Sequence, residues 1–161
     1  MAMRLDVGCG GYPTGDVNCD LARTKDWFKG DVICDCHHLP FIDRSFDEVY
    51  SSHTIEHVSS PYKMLLECER VASKRVTIVC PTIWHWSPRK QTHLWTFGLS
   101  WFTSAGYQAR YVWANFNRFL PIALGPFRIM KCYEIIAVKD LDGNIARAWR
   151  QALLESTARR R

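Results

Sequence analysis

The chain lacks a long apolar run. No stretch approaches the roughly 18 consecutive apolar residues that a membrane-spanning helix needs. The longest apolar tract, 119–130, is broken by Pro121, Gly125, Pro126 and Arg128. The start, Met1-Ala2-Met3-Arg4-Leu5-Asp6, carries no charged-then-apolar leader pattern. Internal repeats, low-complexity tracts and linker-like stretches are also missing, so the 161 residues read as one domain, 1–161, with no separate substrate domain. A strong charge is missing too. The 21 Lys and Arg exceed the 16 Asp and Glu by five, and three of the five are the terminal Arg159, Arg160 and Arg161. With a body so near neutral, the pI of 8.9 is weak evidence for nucleic acid. Apolar residues at 47% and charged residues at 23% are ordinary globular usage, which excludes disordered, collagen-like and coiled-coil chains.

Cysteine is present but unpatterned. The seven are Cys9, Cys19, Cys34, Cys36, Cys68, Cys80 and Cys132, an odd number with five in apolar, strand-like segments. They read as reduced core thiols of a cytoplasmic protein. Cys34 and Cys36 stand beside His37 and His38, but this spacing fits no common zinc pattern, and neighbouring residues of an extended chain point to opposite faces. No metal site is expected.

The order of elements is more informative. Strands are predicted over 4–7, 16–21, 31–35, 48–52 and 75–80 from their β-branched and apolar patterning and the turns that bound them. Pro61 opens a helix with Tyr62, Leu65, Leu66, Glu69 and Val71 at roughly helical spacing. A short helix over 99–105 ends at Gly106. Two late strands, 108–113 and 133–138, are followed by a turn at Asp142-Gly143-Asn144 and a closing helix over 145–158. Strands separated by helices or long connections argue an α/β fold with a mainly parallel sheet. Trp84, His85, Trp86, His93 and Trp95 crowd around Arg89 and Lys90, which reads as a loop with a function.

The first strand runs into Gly8-Cys9-Gly10-Gly11, and the second ends on Asp20. Glycines allow a backbone to approach a ligand closely, and an acid at the end of the second strand can take both hydroxyls of a ribose. The alternative is a tight turn that merely needs positive φ. Only nine residues, Gly8 to Asp16, separate Val7 from Val17. A parallel crossover with a helix takes about a dozen or more. The first crossover helix is therefore shortened or absent, and the helix N-terminus that a dinucleotide pyrophosphate favours is not supplied. A nucleoside without phosphates fits better than NAD.

Four ordered segments carry a resemblance. Leu5-Asp6-Val7-Gly8-Cys9-Gly10, Asn18-Cys19-Asp20-Leu21, the run Asp35 to Asp47 with Leu39-Pro40-Phe41, and Ser51-Ser52-His53-Thr54-Ile55-Glu56-His57-Val58 together resemble the class I S-adenosylmethionine-dependent methyltransferases, and among them the methyltransferase type 11 group. Glu67-Cys68-Glu69-Arg70-Val71 and Phe102 to Tyr107 continue the match. The resemblance implies a Rossmann-like sheet, mainly parallel with a C-terminal antiparallel strand, and methyl transfer from S-adenosylmethionine (EC 2.1.1.-). It implies that Gly8, Cys9 and Gly10 cradle the methionine and ribose portion, with Asp6 bracing the loop. Asp20, with Leu21 beside it, would bind the ribose. Asp35 would take the adenine amino group, with Cys36 and Leu39 near the ring. Ser51, Ser52 and His53 would lie by the sulfonium. Against these stand plainer readings, Asp6 as a turn cap and Leu39-Pro40-Phe41 as core packing.

Methyl transfer is an in-line displacement, and the protein mainly holds the acceptor close and aligned. A base helps a hydroxyl or amine acceptor, and histidine suits that near neutral pH. His53 and His93 are the candidate catalytic residues. His57, in the Glu56-His57 pair, reads rather as helix-entry structure. The acceptor is not readable, and both a small molecule and a nucleic acid fit. Relatives carry helices upstream that cover the cofactor, so an open site is expected here, closed by a homodimer, a protein partner or the 84–95 loop. Two other functions remain: a non-catalytic S-adenosylmethionine-binding module serving a partner enzyme, and an NAD-dependent enzyme on a similar sheet.

Overall fold

The computed structural model describes residues 2–21, 29–82, 92–114 and 132–143. The predicted helix over 145–158, the apolar tract over 119–130 and the 84–91 part of the aromatic loop, with Trp84, Trp86, Arg89 and Lys90, lie outside the described residues. In chain order the elements are β1 (Arg4–Val7), β2 (Val17–Asp20), β3 (Val32–Ile33), β4 (Phe46–Ser52), α1 (Pro61–Val71), β5 (Ala72–Pro81), α2 (Leu99–Ser104), β6 (Gln108–Ala114) and β7 (Cys132–Asp140). The strands form one sheet in the order β3-β2-β1-β4-β5-β7-β6. β3, β2, β1, β4 and β5 run parallel, whereas β7 is antiparallel to both neighbours. This is the class I methyltransferase arrangement that the resemblance implies.

No helix occurs between β1 and β2, where residues 8–16 are all described. A short return suffices because Asp16 clamps back onto the start of β1. Its N–H donates to the Arg4 carbonyl at 2.9 Å, and its carboxylate accepts from Arg4 N–H at 2.8 Å. Among the described residues, no helix is long and apolar enough to cross a membrane.

β3 is shorter than expected, Val32–Ile33 against 31–35, β7 is longer, Cys132–Asp140 against 133–138, and two strands start early. β5 begins at Ala72, directly after α1, three residues before the expected Arg75. Ala72 is already extended (φ −83°, ψ 140°), so it both stops the helix and starts the strand. The β-branched run that betrays the strand begins only at Val76. β4 begins at Phe46, before a register irregularity between Phe46 and Glu48. That irregularity breaks the alternation on which a strand reading rests.

Strand alternation divides the core into two faces. Leu5, Val7, Val49, Val76, Ile78, Cys80, Ile135 and Ala137 point to one side, where α1 packs on β4 and β5. α1 contributes Met64, Leu65, Cys68 and Val71 at one-turn spacing, all buried. Each large apolar side chain so buried is worth about 1.5–3 kcal/mol. Tyr50, Val79, Ile136 and Val138 form a smaller cluster on the other face. The partly buried Arg70 of α1 fastens the connection into β4. Its guanidinium donates to both Glu67 oxygens, to Asp43 and to the Phe41 and Leu39 carbonyls, each within 2.9 Å. Glu67 in turn accepts from the Leu39 N–H. The whole 39–43 loop thus hangs from one turn of α1.

Candidate functional site

A cleft of about 1290 Å³ opens at the carboxyl ends of β1, β2, β3 and β4. This is where parallel α/β sheets place their ligands. Gly8 and Gly10 take positive φ, 77° and 52°. Their turn lets the N–H groups of Gly8 and Cys9 share the Cys19 carbonyl of β2, at 2.8 and 3.1 Å. The Gly10 N–H donates to Asp20 Oδ2 at 2.9 Å, so the candidate ribose acid and the glycine loop form one unit. A carboxylate has about four lone-pair positions, so one such bond leaves it able to accept ribose hydroxyls. Asp6 is buried, and its Oδ2 takes the Thr14 N–H at 3.0 Å and the Thr14 hydroxyl at 2.6 Å. It braces the far side of the loop. Burial, followed by the Asp6 and Asp20 carboxylates, pushes the Cys9 thiol up to about 12, so Cys9 stays a thiol and offers no nucleophile.

Asp35, Cys36, Cys34 and His37 line the next part of the cleft. Asp35 Oδ1 accepts from the His37 N–H at 2.9 Å and from His37 Nδ1 at 2.6 Å. These bonds hold the Asp35 carboxyl below the usual range, the backbone one contributing most. His37 Nε2 accepts from the Ser60 N–H, which ties this loop to the start of α1. The residues fit a nucleoside: a glycine cradle, an acid beside it and an acidic turn further along the same wall.

The opposite end of the cleft is charged. His53, just after β4, adopts φ 55°, an uncommon conformation for a side chain with a Cβ. Its Nε2 lies 3.2 Å from Glu134 of β7, and its Nδ1 lies 3.5 Å from Glu56. Burial disfavours its charge, but the two carboxylates outweigh that and raise its pKa to about 9. The raised pKa favours the protonated ring, whose Nε2–H donates to Glu134 and whose Nδ1–H faces Glu56 across 3.5 Å. Glu56 is 1% exposed. His57 and His93 approach it, their rings edge to face at 4.8 Å between centroids.

Asp6, Gly8, Cys9, Gly10, Asp20, Leu21, Asp35, Cys36, Ser52, His53 and His93 all line this one cleft. Leu39 and Ser51 do not. Leu39 belongs to the main core, and the Ser51 hydroxyl donates to the Val7 carbonyl at 2.7 Å, joining β4 to β1 beneath the cleft. The described end of the aromatic loop reaches the site through Thr92, His93 and Leu94. It is anchored by the N–H groups of Leu94 and Trp95 to the Glu56 carbonyl, and by the Trp95 indole to the Val58 carbonyl. Glu134, Thr54 and His37 also line the cleft, where sequence reasoning did not place them. Glu134 arrives from a strand 81 residues away from His53, and nothing local marks it.

Comparisons with known proteins bear on the fold that carries this cleft. A family model described as methyltransferase domain matches residues 5–80. No curated protein sequence matches significantly. Among solved structures, an S-adenosylmethionine-dependent methyltransferase of Aquifex aeolicus is 16% identical, with a TM-score of 0.55 over 85% of this chain and 81% of its own. One of Archaeoglobus fulgidus is 16% identical, with a TM-score of 0.56 over 86% of each chain. A methyltransferase solved with the Haloferax volcanii Trm112 methyltransferase activator is 16% identical, with a TM-score of 0.57 over 85% of this chain and 82% of its own. At such identities the likeness shows the fold.

Proposed function

We propose that this chain, which carries an S-adenosylmethionine-dependent methyltransferase domain on the class I fold, transfers the methyl group to a hydroxyl or amine brought to the His53–Glu134 end of the cleft. The observation that carries the reading is the single cleft with two unlike ends, a glycine-and-acid cradle at Gly8, Gly10 and Asp20 and a charged wall at His53, Glu56 and Glu134. When bound, S-adenosylmethionine supplies an electrophilic methyl on a cationic sulfur. Asp20 and the Gly8–Gly10 backbone hold the donor, with Asp35 and Cys36 beside the base. Glu134, held by His53 Nε2, accepts a hydrogen bond from the acceptor. In the transfer, the methyl carbon–sulfur bond breaks as the bond to the acceptor oxygen or nitrogen forms. The displaced proton leaves through Glu134.

The catalytic roles of His53 and His93 and the cofactor contacts above are proposals of the same kind. They are tested by incubating the protein with a methyl-labelled donor and acceptors in three arms: hydroxyl compounds, amines and RNA or DNA. Label in one arm, lost in Asp20→Ala, supports the reading. Binding of S-adenosylhomocysteine with no label in any arm favours the non-catalytic binding module. Binding of NAD without S-adenosylhomocysteine overturns both.

A second reading adds a protein that completes the cleft, either another copy of this chain or an activator. The neighbour solved with an activator is the observation that favours it. Activity that appears only on adding a partner would support it. Cys9, Cys19, Cys34, Cys36, Cys68 and Cys80 are free, which supports a reducing, cytoplasmic setting.

A further inference from the structure

We infer that Glu56, His57 and His93 form a binding site for one divalent transition-metal ion of the zinc and manganese class, set in the wall of the cleft. The donor atoms of the three side chains lie within 4.8 Å of one another. An ion held at 2.0–2.2 Å draws its donors to about 3–3.5 Å apart, which small side-chain rotations provide.

Two further observations point to a ligand. The Glu56 side chain is 1% exposed, yet it reaches the cleft, and neither of its carboxylate oxygens has a hydrogen-bond partner. The nearest imidazole nitrogens are His53 Nδ1 at 3.5 Å and His57 Nε2 at 3.9 Å. A buried carboxylate left without hydrogen bonds is costly, and native structures keep few such groups without a reason. His53 offers its charge only across 3.5 Å, and an ion supplies the short bonds that the surroundings do not. His57, in turn, is arranged as a metal-binding histidine is. Its Nδ1 lies 3.0 Å from the Thr92 carbonyl, which can only accept, so the neutral ring carries its proton there. That leaves the Nε2 lone pair to take an ion, 3.9 Å from Glu56 Oε1. Metal-ligating histidines commonly donate their second nitrogen to a backbone carbonyl in this way, which fixes tautomer and ring orientation.

The chain builds the site from two separate stretches. Glu56 and His57 follow β4. His93 is brought over by the loop whose Leu94 and Trp95 N–H groups bond the Glu56 carbonyl. The backbone of Glu56 thereby positions a histidine beside its own side chain. The other group of possible donors, Asp35, Cys36 and His37, differs in kind. Both nitrogens of His37 are already engaged, Nδ1 with Asp35 and Nε2 with the Ser60 N–H. Two imidazoles and one carboxylate suit zinc, iron or manganese better than calcium or magnesium, which prefer all-oxygen sets. Remaining coordination positions face the cleft, where a hydroxyl-bearing molecule could complete them.

The site is argued from side chains alone and stands whether or not the chain transfers methyl groups. The test uses the full chain, stripped with chelator and without methyl donor, titrated calorimetrically with Zn²⁺, Mn²⁺ and Mg²⁺. One equivalent of Zn²⁺ or Mn²⁺ should bind, at least tenfold more tightly than Mg²⁺. Glu56→Gln and His93→Ala should each weaken it by about 10–100-fold, and His37→Ala should not. Co²⁺ should give a visible absorption band in the wild type that His93→Ala loses. Circular dichroism of the His93→Ala variant separates loss of ligand from loss of fold. Absence of binding by Zn²⁺ and Mn²⁺ would overturn the site. So would binding that survives Glu56→Gln and His93→Ala, or that follows His37→Ala instead.

Discussion

Thr54 occupies the space that a Cβ on Gly8 would need. Such a carbon would stand 2.0 Å from Thr54 Oγ1 and 2.5 Å from Cγ2. The Thr54 hydroxyl meanwhile lies 3.3 Å from the carbonyls of Gly8 and Ser52, and so bridges the ends of β1 and β4. The glycine loop is held from above by β4 as well as from below by β2.

Gly8→Ala is therefore expected to damage the cradle twice. The φ of 77° costs roughly 1–3 kcal/mol for a residue with a Cβ, and the clash adds to it. S-adenosylhomocysteine affinity should fall at least about tenfold, read by calorimetry. Adding Thr54→Gly to the variant removes the clash but not the strain, so it should restore part of the loss. Full restoration would show that φ is not strained there.

Asp20 separates a binding role from a structural one. Its carboxylate takes the Gly10 N–H, so Asp20→Asn keeps a carbonyl oxygen for that bond but loses the charge. Hydrogen bonds to charged groups are worth roughly 1.5–3 kcal/mol. Asp20→Ala should weaken S-adenosylhomocysteine binding by about 10–150-fold, and Asp20→Asn by less. Thermal melts of the cofactor-free variants should move little for Asn and more for Ala. Equal affinities in all three proteins would remove Asp20 from the ribose site.

The fold was legible in the sequence where local pattern and packing agree. β1, β2, α1 and α2 match their expected spans closely because alternation, Pro61 and Gly106 mark them. The lack of a first crossover helix followed from the nine residues between Val7 and Val17. The cradle was legible for a similar reason, since Gly8, Gly10 and Asp20 act through backbone and strand ends. The charged end was not. His53 was visible as a base candidate, but its partner Glu134 comes from β7, and only tertiary structure shows that two carboxylates hold its proton. Ser51 was expected by the sulfonium because the resemblance implies it. The pleat instead turns its hydroxyl under β1, where it serves the sheet.

Arg70 and Glu67 make an acid-sensitive clamp. The hydrogen bond from Arg70 chiefly holds the Glu67 carboxyl below its ordinary value. A carboxylate with a lowered folded-state pKa contributes stability above its unfolded pKa, and that contribution disappears as pH falls through the folded value. Glu67→Gln should therefore lower the melting temperature at pH 7, by an amount that shrinks as the pH falls below the ordinary carboxylate range. Arg70→Ala also frees the Phe41 and Leu39 carbonyls and should destabilise by about 1–3 kcal/mol at neutral pH. A Glu67→Gln penalty that persists undiminished at pH 3 would contradict the clamp.

His53 gives the most discriminating prediction about the chemistry, because the two forms of the cofactor differ by a charge. S-adenosylmethionine has a cationic sulfur, and its demethylated product does not. In metal-free protein at neutral pH, His53 is an imidazolium between Glu56 and Glu134. His53→Ala removes one positive charge from the cleft and leaves both carboxylates. The field at that end becomes more negative, which favours the cationic donor over the neutral product. A shift of about 0.5–1.4 kcal/mol is the scale for a charge a few ångströms further off than a direct pair. The preference for S-adenosylmethionine over S-adenosylhomocysteine should rise by roughly 2–10-fold, measured by equilibrium dialysis of both. Asp20→Ala should weaken both ligands alike, because the ribose is common to them. Methyl transfer should fall in His53→Ala even with the donor bound more tightly, since Glu134 loses the residue that holds it toward the acceptor. An unchanged preference together with unchanged turnover would place His53 away from both the sulfonium and the acceptor.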